Sequence, residues 1–354
     1  MSPQPPNRPR TVVLLQYTGI GDLVWHIPYF KRLAELSANG QITVVAQPST
    51  LAKHFIGHEP WVEAVIDHDH RPRRGEKRRG QHAGLRGMWR MAQQLKAGRY
   101  DRLILFSGRA SRGLIAGLSG IPERLGFGYR RLQRIFLTRG PYIQPYQGPS
   151  LAVFPESEAF MLAHGFIPAP FAPKMDVPDS AMTTMQARLA SLPRPLVALA
   201  IGTSETHKQW GIDRYAQLAC RLLKAGCGVL VLGGPADRDA AERICAGQPR
   251  LLNLAGALKL DESVALIADA QLLVGVDTGL THMGSALRIP TVALFGSTRP
   301  YREGPTARTR ILYDALPCSP CRRRPTCNGA FTCMTGLTTE RVLQAALTQL
   351  EMPA

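Results

Sequence analysis

Thr18-Gly19-Ile-Gly21-Asp22 follows a short apolar run and leads into a helical stretch from Leu23 to Ala34. Two glycines permit a tight turn whose amides an anion or a reacting hydroxyl can approach closely. Asp22 stands where it can cap the helix or take a proton as general base. A second group is Gly202-Thr203-Ser204-Glu205-Thr206-His207-Lys208-Gln-Trp210, just past a strand ending at Ile201. Hydroxyls followed by an ammonium are the groups that hold a diphosphate, with a polar turn and a solvated lysine as the plainer alternative. Gly233-Gly-Pro-Ala-Asp237 closes another strand, and Asp237 is placed either to accept from ribose hydroxyls or to cap a helix. The richest stretch is Asp277-Thr278-Gly279-Leu-Thr-His282 followed by Met-Gly284-Ser285-Ala286. Capping needs one polar residue, whereas four gather at this strand-to-helix turn. His282 either joins that turn or packs beneath it.

Four of the seven cysteines, Cys318, Cys321, Cys327 and Cys333, fall within sixteen residues. In a reducing compartment four such thiols suit a tetrahedral zinc or iron ion, and loose thiols or opportunistic disulfides are the alternative. Cys220, Cys227 and Cys245 lie in helix or strand patterns and read as core. Residues 71–90 carry eight basic residues against one acid, among them Arg71, Arg73, Arg74, Lys77, Arg78 and Arg79. Such a run is either a solvated loop or a contact for phosphates, sugar carboxylates or an anionic lipid surface.

The elements that must position these groups are βα repeats. Apolar, β-branched runs at Thr11–Leu15, Ile42–Ala46, Val62–Ile66 and Arg102–Phe106 alternate with helix-like stretches. The pattern restarts at Leu196–Ile201, Gly228–Leu232, Leu272–Val276 and Thr291–Phe295, with an amphipathic segment such as Asp213–Lys224 between runs. Runs of this kind are strands of parallel sheets covered on both faces. The expected division is 1–170, a proline-rich linker 171–190, a second domain 191–335, and a C-terminal helix 336–354 long enough to return to the first domain. A cleft between two such domains would hold ligands beyond the strand ends.

At 354 residues, two domains are the expectation, and the 45% apolar composition excludes a disordered or fibrous chain. The N-terminus has too short an apolar run for a signal peptide, and no run approaches a membrane span, so a cytoplasmic chain is expected. A net charge of +17 calls for an anionic partner. Nucleic acid is not expected, because the basic run holds one aromatic residue, Trp89, and no recognisable reading motif.

Gly19-Ile-Gly21-Asp22, Lys208-Gln-Trp210, Gly233-Gly-Pro235, Asp277-Thr-Gly-Leu-Thr-His282 and Pro290-Thr-Val-Ala-Leu-Phe-Gly296, in that order, resemble glycosyltransferase family 9, the lipopolysaccharide heptosyltransferases. The resemblance implies a GT-B fold, two facing Rossmann-like domains with parallel sheets and a cleft between them. It implies an inverting, metal-independent transfer of L-glycero-D-manno-heptose from ADP-heptose to the lipopolysaccharide inner core, with Kdo-lipid A or heptosyl-Kdo-lipid A as acceptor. No cofactor is required for that chemistry. Asp22 matches the family's base, and Gly19 and Gly21 fall on the acceptor side. Thr203, Ser204 and Lys208 match the diphosphate segment, Asp237 a nucleoside contact, and Asp277, Thr278, Gly279 and His282 the phosphate turn. Several relatives carry proline where this chain has Gly211. Relatives that glycosylate autotransporter proteins carry similar cysteine fingers, which imply a structural iron knuckle and offer a protein acceptor as the alternative. Another nucleotide sugar is the remaining option. Action on a glycolipid implies peripheral attachment at the inner face of the inner membrane.

Overall fold

The computed structural model describes residues 8–72, 76–146, 154–177, 179–203, 205–298, 300, 308–321 and 324–351. Ser204, Arg73 and Arg74 therefore lie outside the described residues. The chain forms two units, residues 8–146 with 154–171, and 172–351.

The first unit runs β1 (Thr11–Leu15), α1 (Ile20–Glu35), β2 (Ile42–Ala46), α2 (Ala52–Ile56), β3 (Val62–Asp67), α3 (Gly84–Ala97), β4 (Arg102–Phe106), α4 (Ala110–Ser119), β5 (Glu123–Gly126), α5 (Arg131–Arg134) and α6 (Pro155–Ala163). Its sheet is parallel, in the order β3-β2-β1-β4-β5. Val12 to Leu15 and Leu103 to Phe106 are fully buried, because helices cover both faces of the central strands. The order reverses between β1 and β4, so the loops after those two strands flank the switch point where such sheets bind ligands.

The second unit runs α7 (Asp179–Leu189), β6 (Leu196–Ala200), α8 (Ile212–Lys224), β7 (Gly228–Leu232), α9 (Arg238–Cys245), β8 (Leu251–Asn253), α10 (Leu260–Asp269), β9 (Leu272–Val276), α11 (Gly279–Ala286), β10 (Thr291–Phe295), β11 (Thr309–Tyr313), α12 (Thr332–Thr335) and α13 (Thr339–Glu351). Six parallel strands stand in the order β11-β10-β9-β6-β7-β8, with the reversal between β6 and β9. Helix α8 shows why the sequence folds this way. Tyr215, Leu218, Ala219, Leu222 and Leu223 recur at helical spacing and are buried, while Asp213 and Lys224 suit the two ends of the helix dipole. Each of the three leucines contributes roughly 1.5–3 kcal/mol on burial.

Within the segment 171–190, Asp179–Leu189 is helical and buries Ala181, Met185 and Leu189. The C-terminal helix packs on the second unit. Val342, Ala345 and Ala346 are buried in the core built around β6, β9 and β10.

Candidate functional site

The second unit supplies the densest polar arrangement. Its switch point brings the loop after β6 to the loop after β9, and there Lys208 Nζ lies 2.8 Å from Asp277 Oδ2. His282 Nε2 is 3.1 Å from Asp277 Oδ1, donating to the carboxylate in its Nε2–H tautomer. Glu205 approaches the same ammonium at 3.2 Å. Burial alone would raise the Asp277 carboxyl. The hydrogen bond from His282 and the charge of Lys208 outweigh it and hold the group well below the usual carboxylate range.

Backbone construction explains how these side chains are held. Lys208 stands two residues before Trp210, which is 1% exposed and donates from Nε1 to Leu337 O at 2.6 Å. Tyr215 packs edge-on against Trp210 and donates to Ala200 O at the end of β6. Gly211 takes φ +114° at the start of α8, a conformation closed to proline. The glycine that departs from the family pattern is therefore what this turn requires. Gly275 in β9 admits the neighbouring chain: a Cβ there would stand 2.4 Å from Thr281 Oγ1 and 2.8 Å from Ala200 Cβ. Thr278 and Gly279 open α11, and no side chain among the described residues caps it, which leaves a helix N-terminus suited to a phosphate.

Thr203 Oγ1 accepts from Glu205 N at 3.3 Å and so shapes its own loop. Asp237 accepts from Gly234 N at 2.8 Å and packs against Gly202, where a Cβ would meet its Oδ2 at 2.2 Å. Burial raises its carboxyl. Of its two sequence readings, capping is the one that has a contact among the described residues.

In the first unit, Asp22 Oδ2 accepts from Gly19 N at 2.7 Å and Thr18 N at 3.0 Å, so the carboxylate caps α1. Gly19 fits against it, since a Cβ would lie 3.0 Å from that oxygen. Gly21 is buried at the same turn. One turn along, His26 is buried among Tyr17, Phe30, Phe106 and Phe154. Its Nδ1 donates to Asp22 O at 2.6 Å and its Nε2 accepts from Ser157 Oγ at 2.8 Å, which defines the neutral tautomer. Burial lowers its pKa to about 4. Nothing in the sequence pattern marked His26.

The described part of the basic run is partly tied down. Arg78 reaches Asp69 Oδ2 at 2.5 Å and Glu76 Oε2 at 2.9 Å, and Gln81 N donates to the same Asp69 oxygen at 3.2 Å. Arg71, Lys77 and Arg79 are exposed. The segment is thus folded back by one buried carboxylate, while Arg71, Lys77, Arg79, Arg86 and Arg90 face solvent.

Cys318, Cys321, Cys327 and Cys333 line one small cavity, with room for about one water molecule, together with Ser297, Pro325 and Phe331. All seven cysteines are free thiols. Burial and the nearness of the other three thiols push the Cys333 thiol up. The donor set fits a thiophilic metal, although no three His, Cys, Asp or Glu among the described residues already converge as ligands.

The family model described as Glycosyltransferase family 9 (heptosyltransferase) matches residues 88–331. Lipopolysaccharide heptosyltransferase 2 of Salmonella typhimurium is 28% identical over 269 residues, covering 72% of this chain and 77% of that protein. Among solved structures, E. coli ADP-heptose lps heptosyltransferase II aligns at a TM-score of 0.74 and 22% identity, over 96% of this chain and 98% of that one. The iron-containing dodecameric glycosyltransferase TibC of enterotoxigenic E. coli aligns at 0.57 and 16% identity, over 97% and 76%. The two parallel-sheet units match the GT-B heptosyltransferase architecture.

Proposed function

The chain belongs to glycosyltransferase family 9, the heptosyltransferases, and on that premise we propose that it transfers L-glycero-D-manno-heptose from ADP-heptose to the inner core of lipopolysaccharide, with inversion at the anomeric carbon. The observation that carries this reading is the cluster of Lys208, Asp277 and His282 at the switch point beside the uncapped start of α11. It supports a diphosphate site with a cation at hand for charge on a leaving group.

In the proposed reaction Asp22 accepts the proton of the acceptor hydroxyl as that oxygen bonds to the anomeric carbon. The bond from that carbon to the ADP oxygen breaks, and the departing diphosphate takes the bonding pair. The Thr18 and Gly19 amides orient the Asp22 carboxylate, and Lys208 meets the growing negative charge. In this reading Thr203, Thr278 and Gly279 line the phosphate path and Asp237 the nucleoside end. No cofactor takes part in these steps. The four cysteines would hold a zinc or iron ion as a structural cross-link of their loop.

The acceptor proposed is Kdo-lipid A or its heptosylated form, met at the inner face of the inner membrane. No helix among the described residues is long and apolar enough to cross a membrane. Leu85 and Trp89, one turn apart on α3, are 74% and 58% exposed beside Arg86 and Arg90, a pattern that supports surface attachment to anionic lipid. Sedimentation with anionic but not zwitterionic vesicles, weakened in Trp89→Ser, is expected.

Mass spectrometry of the product from ADP-heptose and a defined truncated lipopolysaccharide tests the function. Addition of one heptose supports it; no addition refutes it. The cysteine cavity favours a second reading, transfer to a protein, and an autotransporter acceptor in the same assay separates the two.

A further inference from the structure

At the carboxyl edge of the first sheet lies a polar group that the chemistry at Asp22 does not use. Arg112, in the first turn of α4 just beyond β4, is 4% exposed, and its Nε has no hydrogen-bond partner among the described residues. The first turn of α4 contains no acidic residue, and Arg109 begins the helix, so two cations sit at the end where the helix dipole favours anions. Burial, reinforced by the charge of Arg109, lowers the Arg112 pKa to about 10. No carboxylate among the described residues pairs with it.

The neighbours repeat the pattern. Among the described residues His68, directly after β3, is 1% exposed with Nε2 unmet, and Gln47, directly after β2, is 4% exposed with Oε1 unmet. The rings of His68 and His70 stand 4.8 Å apart. Arg112 acts electrostatically on both imidazoles, which places its charge among them. The nearby buried carboxylate, Asp69, is held by Arg78 and Gln81 through Oδ2, and its Oδ1 has no partner among the described residues. Buried polar atoms left without partners are costly, and a buried guanidinium without a counter-ion more so. Such groups are kept where a ligand completes them.

Topology places this group beside the proposed chemistry. Arg112 follows β4 and the Asp22 loop follows β1, the two strands at the switch point. Ser107 Oγ donates to Gln16 Oε1 at 2.6 Å, joining their ends. A metal fits poorly, since a guanidinium occupies the group and no three described ligands converge. An oxyanion fits: it would accept from Arg112 and His68 and neutralise the helix end.

We infer that Arg112, with His68 and His70, forms a subsite for a carboxylate or phosphate carried by the sugar acceptor, on the same sheet edge as Asp22. The inference rests on the acceptor reading proposed above and deepens it.

Calorimetric titration of the full chain with inorganic phosphate, and separately with free Kdo, tests it. Saturable binding of either at constant ionic strength is expected; Kdo alone identifies a sugar carboxylate, and phosphate alone a phosphate ester. Arg112→Gln should weaken that binding about tenfold or more while leaving ADP affinity unchanged, with Arg112→Lys intermediate. His68→Asn supplies the same comparison with the guanidinium in place, should Arg112→Gln fail to fold. Absence of saturable binding by both anions, or undiminished binding in a folded Arg112→Gln, overturns the subsite. Anion binding without heptose transfer would instead overturn the heptosyltransferase reading and leave the subsite standing.

Discussion

The ammonium of Lys208 and the carboxylate of Asp277 come from loops that follow different strands, yet they stand 2.8 Å apart. A salt bridge at a proposed phosphate site keeps the cation positioned before the donor arrives and must share it afterwards. Both side chains are largely shielded from water, so removing one partner leaves a poorly compensated charge.

Lys208→Ala and Asp277→Ala are each expected to weaken ADP binding, and the double variant to be little worse than the poorer single one. A coupling of about 1–3 kcal/mol is expected from a contact of this kind. Strictly additive losses in calorimetric ADP titrations would show that the two side chains act independently.

Asp22 has a capping role that can be separated from its proposed proton transfer. Asn retains a side-chain oxygen for the Thr18 and Gly19 amides but cannot serve as base. Asp22→Asn should therefore change stability by less than about 1 kcal/mol while lowering kcat roughly 10²–10⁴-fold. Asp22→Ala should lose both the cap and the turnover. Near-normal turnover in Asp22→Asn would remove the proposed base.

His26 makes the first unit acid-sensitive in a definite window. Its folded pKa of about 4 lies below the ordinary histidine value, so the unfolded chain takes up the proton first. Its stabilising contribution is complete above about pH 6.5 and declines as pH falls towards about 4, a loss of roughly 3 kcal/mol. Denaturant melts of wild type and His26→Asn across that range should show a shallower acid slope in the variant. Parallel slopes would remove His26 as the cause.

Metal analysis of the purified chain should find about one zinc or iron ion per molecule, with a chelator lowering the Tm. Cys318→Ser with Cys321→Ser should abolish the metal content. Seven titratable thiols with no metal in a protein purified without chelator would assign the cavity to plain packing.

The central strands were legible because their apolar runs are buried on both faces. Thr11–Leu15, Ile42–Ala46, Arg102–Phe106, Gly228–Leu232 and Leu272–Val276 lie where the residue pattern places them. The strands it passed over, β5, β8 and β11, are edge strands, short or interrupted by polar residues such as Glu123, Asn253 and Arg310. Lys208 and Asp277 were each visible as loop residues, but their contact depends on strand order, which no local pattern encodes. Arg112 and His68 carried no local signal, and only the strand order sets both at one edge of the first sheet. Asp69, which folds back the basic run, was hidden because one carboxylate among many cations reads as solvated charge.

Trp210 fastens the loop of Lys208 to the carbonyl of Leu337, just beyond the cysteine-bearing turn. The family match stops at residue 331, short of that carbonyl. A chain trimmed to the matched region would keep Lys208, Asp277 and His282 and still lose the partner of a buried indole. The closing residues are therefore a foundation for the Lys208 loop rather than an appendage, and α13, which buries Val342 and Ala346 in the core of the second unit, belongs to the same fold.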